Sequence, residues 1–154
     1  MDEIMMKALG QAGAFCAISI TCLGSSFGTG IAGSAAIGAW KKCFQQNKMA
    51  PFQLVIFGGA PLSQPIYGMI LMFIINAGAI AHPAYWPLYL ILGITGGLAM
   101  GLSSWWQGIA GAGACDAFAE TGKGFVNNLM IIGIVETISI FVLAFGIVLL
   151  SSVK

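Results

Sequence analysis

The 154-residue chain is 58 % hydrophobic and only 7 % charged, whereas soluble domains carry about 25 % charged residues. Its net charge is +1 with no arginine, which excludes the basic stripe of a nucleic-acid-binding surface. The acidic start, Met1-Asp2-Glu3, lacks the basic opening of a cleavable signal peptide.

A membrane-crossing helix needs roughly 20 apolar residues to cross about 30 Å of hydrocarbon. Four stretches qualify, at 8–40, 52–79, 87–118 and 125–152. The expected fold is therefore an all-α membrane domain over residues 1–154. In the first span Gly24, Gly28, Ala32 and Ala36 recur every fourth residue. Small residues at that spacing let helix backbones approach closely, the main source of helix association in lipid. A polar break from Trp40 to Pro51 follows.

The second span contains Pro61 and Pro65 around Ser63-Gln64, with Tyr67 one turn on. Proline removes an N–H and leaves the carbonyl four residues back without its partner, which loosens the backbone of 57–61. Such backbone is tolerated at membrane depth where it finds a replacement partner, and a carbonyl near Ala60 or Pro61 is free to offer itself. The break Ala81–Pro87 holds His82, Tyr85 and Trp86, an interfacial composition, with no role expected for His82.

The third span repeats the small-residue stripe at Gly93, Gly97 and Gly101, interrupted by Trp105-Trp106 before Gln107. The two stripes together offer more packing surface than one four-helix unit consumes, so oligomerisation is expected. The third break runs from Asp116 to Lys123. The first and third breaks share one side and hold Lys41, Lys42, Lys48 and Lys123, against Lys7 and Lys154 opposite. The excess of lysine places these loops in the cytoplasm and both termini outside. Cys16, Cys22, Cys43 and Cys115 have neither CxxC spacing nor a nearby histidine, and read as small packing residues.

The fourth span holds Glu136, the acidic residue well inside a span, 11 residues after position 125 and 16 before 152. A bare charge there costs about 2.5–3.5 kcal/mol or more, so the residue is expected to be functional and partnered. Ser63, Gln64, Tyr67 and Gln107 are the available partners. Carboxylate, amide and hydroxyl oxygens are the ligand set of oxygen-loving cations, and one bound cation would neutralise the cluster.

The chain also repeats itself. Gly30-Ile31-Ala32-Gly33 recurs 78 residues later as Gly108-Ile109-Ala110-Gly111, and past the shorter second loop an offset of 72 pairs Gln64 with Glu136. Two tandem helical hairpins, 8–79 and 87–152, follow from this, duplicated in parallel because two spans preserve the topology.

These tandem hairpins, the glycine-rich first helix of each and Val135-Glu136-Thr137 resemble the proteolipid (c/K) ring component of V-type rotary ATPases over nearly the whole chain. Ser63-Gln64-Pro65-Ile66-Tyr67-Gly68 and Gln107, 29 residues before Glu136, resemble its sodium-translocating bacterial branch. The resemblance implies a rotor ring of identical subunits, with first and third helices inside. It implies a non-catalytic role in which Na+, in preference to H+, is carried on Glu136, with Ser63, Gln64, Gln107 and the Ala60 carbonyl as further ligands. Tyr67 would hydrogen-bond the carboxylate. Implied partners are lipid, a stator subunit with an essential arginine, and central-stalk subunits at the cytoplasmic loops. No further cofactor is implied. The sequence departs from the pattern at Ser63, where Thr is usual, at Pro65, and at Trp105-Trp106. The rival reading is a small four-helix cation-coupled transporter or channel acting as its own oligomer.

Overall fold

A computed structural model describes residues 1–153, and Lys154, one of the two lysines assigned to the terminal side, lies outside the described residues. Helix α1 runs Glu3–Gln45, α2 Leu54–Gly59, α3 Ser63–Ala81, α4 Trp86–Thr121 and α5 Phe125–Ser151. A 3₁₀ turn, Ala60–Leu62, joins α2 to α3, and another, Pro83–Tyr85, precedes α4. Counted as continuous rods these make four helices long and apolar enough to cross a membrane, of 43, 28, 39 and 27 residues. Long and short rods alternate, as a duplicated hairpin requires.

The helices outrun the apolar stretches that announce them. At about 1.5 Å per residue, the 43 residues of α1 reach about twice the hydrocarbon thickness of roughly 30 Å. The polar break expected from Trp40 is therefore helical to Gln45, and that expected from Asp116 is helical to Thr121. Polarity marks where a helix leaves lipid, and capping marks where it stops. Asp2 caps α1 by accepting from the Met5 amide at 2.9 Å. Helix α4 stops at Gly122 and α5 starts after Gly124, both glycines at positive φ (64° and 79°), a conformation that side chains with a Cβ resist. Outside the bilayer the paired ends of α1 and α4 are tied by an ion pair between Lys42 and Glu120.

Helices α1 and α4 lie side by side and parallel, and the two small-residue stripes face each other across this seam. A methyl group added to Gly24 would fall on the Gly101 carbonyl, one on Gly28 on the Ser104 carbonyl, and one on Gly108 on the Gly28 backbone. One on Gly97 would stand 2.7 Å from the Cys16 carbonyl. The expectation that the stripes serve oligomerisation is thus corrected: they are consumed inside one chain. A strict four-residue repeat drifts about 40° per step around a 3.6-residue helix. The α4 seam therefore resets through Ser104, Gly108 and Gly111. Trp105, where a strict repeat would continue, falls outside it and stacks on Phe27 at 5.5 Å.

Helix α3 packs antiparallel on α1, with Gly68 against Ala17 and Thr21, and Ala79 against Gly10. Two apolar clusters fill the bundle. Phe57, Phe118 and Ile132 centre the one nearer the loops, and Leu71, Ile75, Tyr89 and Met100 the other. Between them lies a polar layer.

Because Gly24 meets backbone, Gly24→Ala should destabilise the bundle by about 1–3 kcal/mol, the usual cost of overpacking. Gly113 faces open space, so Gly113→Ala should be neutral or stabilise by up to about 1 kcal/mol through helix propensity. Unfolding in mixed micelles of increasing SDS content would measure both.

Candidate functional site

The polar layer is built from three rods. The 3₁₀ turn Ala60–Leu62 interrupts the second rod where Pro61 and Pro65 deny it backbone donors. The carbonyl that Pro65 would leave without a partner is that of Pro61. It accepts two hydroxyls instead, from Ser25 of α1 at 2.6 Å and from Ser104 of α4 at 2.7 Å. The expectation that Pro61 presents a free carbonyl is corrected, because neighbouring helices supply donors to it. The Ala60 carbonyl accepts from the Ser63 hydroxyl at 3.1 Å.

Side by side on this broken segment stand Ser63 and Gln64, with Tyr67 a turn further. Gln64 is fully buried. Its amide nitrogen donates to Oε1 of Gln107 at 2.7 Å, and its own Oε1 accepts from Ser63 at 3.3 Å. Gln107, equally buried, donates to the Ile132 carbonyl at 3.1 Å and to Oε2 of Glu136 at 3.2 Å. The Tyr67 hydroxyl donates to the other carboxylate oxygen at 2.6 Å. Glu136 itself is partly exposed on the outer side of the layer.

All five side chains singled out from the sequence therefore meet in one hydrogen-bonded chain, from Ser63 through Gln64 and Gln107 to Glu136 and Tyr67. Each carboxylate oxygen has one donor, which holds the group in a defined orientation without neutralising it. In this arrangement Gln107 turns its nitrogen, not its oxygen, toward Glu136. To act as an oxygen ligand its amide must rotate by half a turn and release Gln64. The acceptor oxygens on this chain are those of Ala60, Ser63, Gln64 and Glu136, the ligand type of oxygen-loving cations.

Sequence reasoning missed the serines that frame the site. Ser103 donates to the Val135 carbonyl at 2.8 Å, fixing the turn that carries Glu136, while Ser25 and Ser104 fix the proline turn. A signal existed: Ser103 stands 78 residues after Ser25, the same offset as the glycine motifs. Ser139, one turn beyond Glu136, is buried with no partner for its hydroxyl among the described residues.

The second hairpin carries a family pattern, with residues 90–149 matching the C-subunit family of ATP synthases. Over 146 residues the chain is 32 % identical to the A-type ATP synthase subunit K of Methanocaldococcus jannaschii. That alignment covers 94 % of this chain and 63 % of the archaeal protein, so the chain spans less than two thirds of that relative's length.

The network implies energetic coupling. Removing one member of a buried pair strands the other, at about 1–3 kcal/mol. Gln64→Leu and Gln107→Leu should each destabilise the bundle, and the double variant should cost less than their sum, by about 0.5–2 kcal/mol. SDS-driven unfolding of the four chains would measure the cycle, and strict additivity would mean that the 2.7 Å bond contributes nothing.

Proposed function

We propose, from the match of its second hairpin to the C-subunit family of ATP synthases, that this chain is a rotor-ring component of a V- or A-type rotary ATPase and that it carries sodium on Glu136. The observation that carries this reading is the Glu136 carboxylate, held by Tyr67 and Gln107 in a layer that also offers the oxygens of Ser63, Gln64 and Ala60.

Sodium supports the reading better than a proton does. A proton site needs the carboxylate and one hydrogen-bonding neighbour, which Tyr67 provides alone. A proton site has no need of Gln64 and Gln107, which here are paired with each other and with Ser63, Ile132 and Glu136. For sodium the Gln64 oxygen has a use, because the ion gives up its water and takes protein oxygens in return, and Gln107 holds Gln64 and the carboxylate in place. The cation and the carboxylate together are neutral, so the loaded site can face hydrocarbon. Once the cation leaves, the carboxylate of Glu136 can pair with a positive group on a stator.

In this proposal the ring turns as each site meets the stator: its arginine displaces sodium, the ion leaves through an aqueous path, and a new one enters before the site returns to lipid. The loops beyond Gln45 and Thr121, with the Lys42–Glu120 pair beside them, face the central stalk on the cytoplasmic side. Nucleotide chemistry occurs on other subunits, and this chain supplies only the moving carboxylate.

Carbodiimide labelling tests the ion. A hydrophobic carbodiimide reacts with the protonated acid, so a bound cation should block it. Sodium should protect Glu136, and protection should fade on acidification because protons compete for the same oxygens. Gln64→Leu should require at least about tenfold more sodium, equivalent to about 1.4 kcal/mol. Labelling that follows pH and ignores sodium would make this a proton ring. Glu136→Gln should assemble normally yet abolish coupled transport. A clean monomer or dimer that transports unaided would point to a self-contained carrier instead.

A further inference from the structure

Tyr89 carries a hydroxyl that the packing does not use. The residue stands one turn into α4 and is 1 % exposed. Its ring is wedged between α1 and α3. A methyl group added to Gly10 would stand 3.3 Å from the ring's Cδ2, and one added to Gly78 would stand 3.1 Å from its Cζ. A phenylalanine ring would fill that seat equally well. The hydroxyl lies close to Gly78, where an added methyl would stand 3.0 Å from it. It finds no partner among the described residues. A buried hydroxyl without a partner is costly, so the partner is expected from outside the chain.

Tyr89 lines a cavity of about 240 Å³ between the ends of α3 and α5. Ile74 and Gly78 of α3 line it on one side and Ile147 of α5 on the other, with His82 and Ser151 where the two helices stop. Such a lining suits water poorly. A held water needs two to four polar partners, and the Ser151 hydroxyl already donates to the Val148 carbonyl at 2.8 Å. Depth identifies the better partner. Ile147 follows Glu136 by 11 residues, about 16 Å along the helix. From mid-span that reaches the edge of a hydrocarbon core roughly 30 Å thick. Acyl chains meet their glycerol esters at this level, and an ester carbonyl is an acceptor that needs a donor.

We propose that this cavity binds a membrane glycerolipid, whose ester carbonyl accepts from the Tyr89 hydroxyl and whose acyl chain lies between Ile74 and Ile147. The headgroup falls beside His82 and Ser151, which are both exposed. The lipid fills the gap between α3 and α5 on the terminal side. This site is separate from the polar layer around Glu136, so the proposal goes beyond the rotor reading and does not rest on it.

Lipid titration of the full-chain oligomer in mild detergent tests the site, with native mass spectrometry counting the lipids bound. The probes are dioleoyl phosphatidylcholine and its diether analogue, which share headgroup and chain length and differ in the ester carbonyls. The wild-type chain should bind the ester lipid roughly three- to tenfold more tightly, the effect of one ordinary hydrogen bond. Tyr89→Phe, with its oligomer mass first shown unchanged, should bind both lipids alike. Ile74→Trp, which fills the cavity and leaves Tyr89 in place, should also lose the preference. No preference in the wild-type chain, or one that survives Tyr89→Phe, would overturn the proposal and leave interfacial water as the hydroxyl's partner. A preference lost in Tyr89→Phe but kept in Ile74→Trp would put the lipid outside this cavity and overturn it too. Sodium protection of Glu136 should be the same in all three chains. Failure of the lipid test therefore leaves the rotor reading standing, and failure of sodium protection leaves the lipid site standing.

Discussion

The backbone-to-backbone contact between α1 and α4 governs the rest of the molecule. In lipid, apolar side chains gain little by meeting each other, and close packing between backbones takes over as the force that joins helices. Gly24, Gly28, Gly101 and Gly108 permit that approach. Its consequence reaches beyond packing. Because α4 lies this close to the first hairpin, Ser104 reaches the Pro61 carbonyl and Gln107 reaches Gln64. The polar layer straddles the two hairpins, so neither hairpin alone contains it.

The proline turn is the second constraint. A helix broken at membrane depth must find partners for the carbonyls it releases. Here hydroxyls from two neighbouring helices converge on the Pro61 carbonyl. The break thus becomes a fixed point, and Ser63, Gln64 and Tyr67 are presented from a segment held on both sides. The same rule explains why Gln107 serves three groups: each buried polar atom that it satisfies is one the bilayer could not.

Divergence between the two repeats separates their tasks. Where the second hairpin has Glu136, the first has Gln64, so the polar layer holds one carboxylate and an amide linked to it through Gln107. Where the first hairpin has Gly28 at the internal seam, the second has Trp106 at its free face. The repeats keep their topology and differ where the first packs into the internal seam and the second is exposed.

Much of this was legible in the chain itself. Run length and composition determined four spans, since lipid admits few other backbones, and the cost of a buried charge singled out Glu136. The offset of 72 paired it with Gln64, and proline chemistry located the broken segment. Tertiary structure alone decided the rest. Helix ends were set by Gly122, Gly124 and the mutual support of α1 and α4 outside the bilayer, which a polarity reading cannot see. The glycine stripes looked like surface for other copies. A one-dimensional repeat gives the spacing of small residues but not the direction in which they point. Only the rotation of α1 against α4 turned the stripes inward and left Trp106 and Gly30 outside. The same rotation gave Gln107 its donors' direction, because an amide has two faces and only its neighbours in space select which one meets a carboxylate.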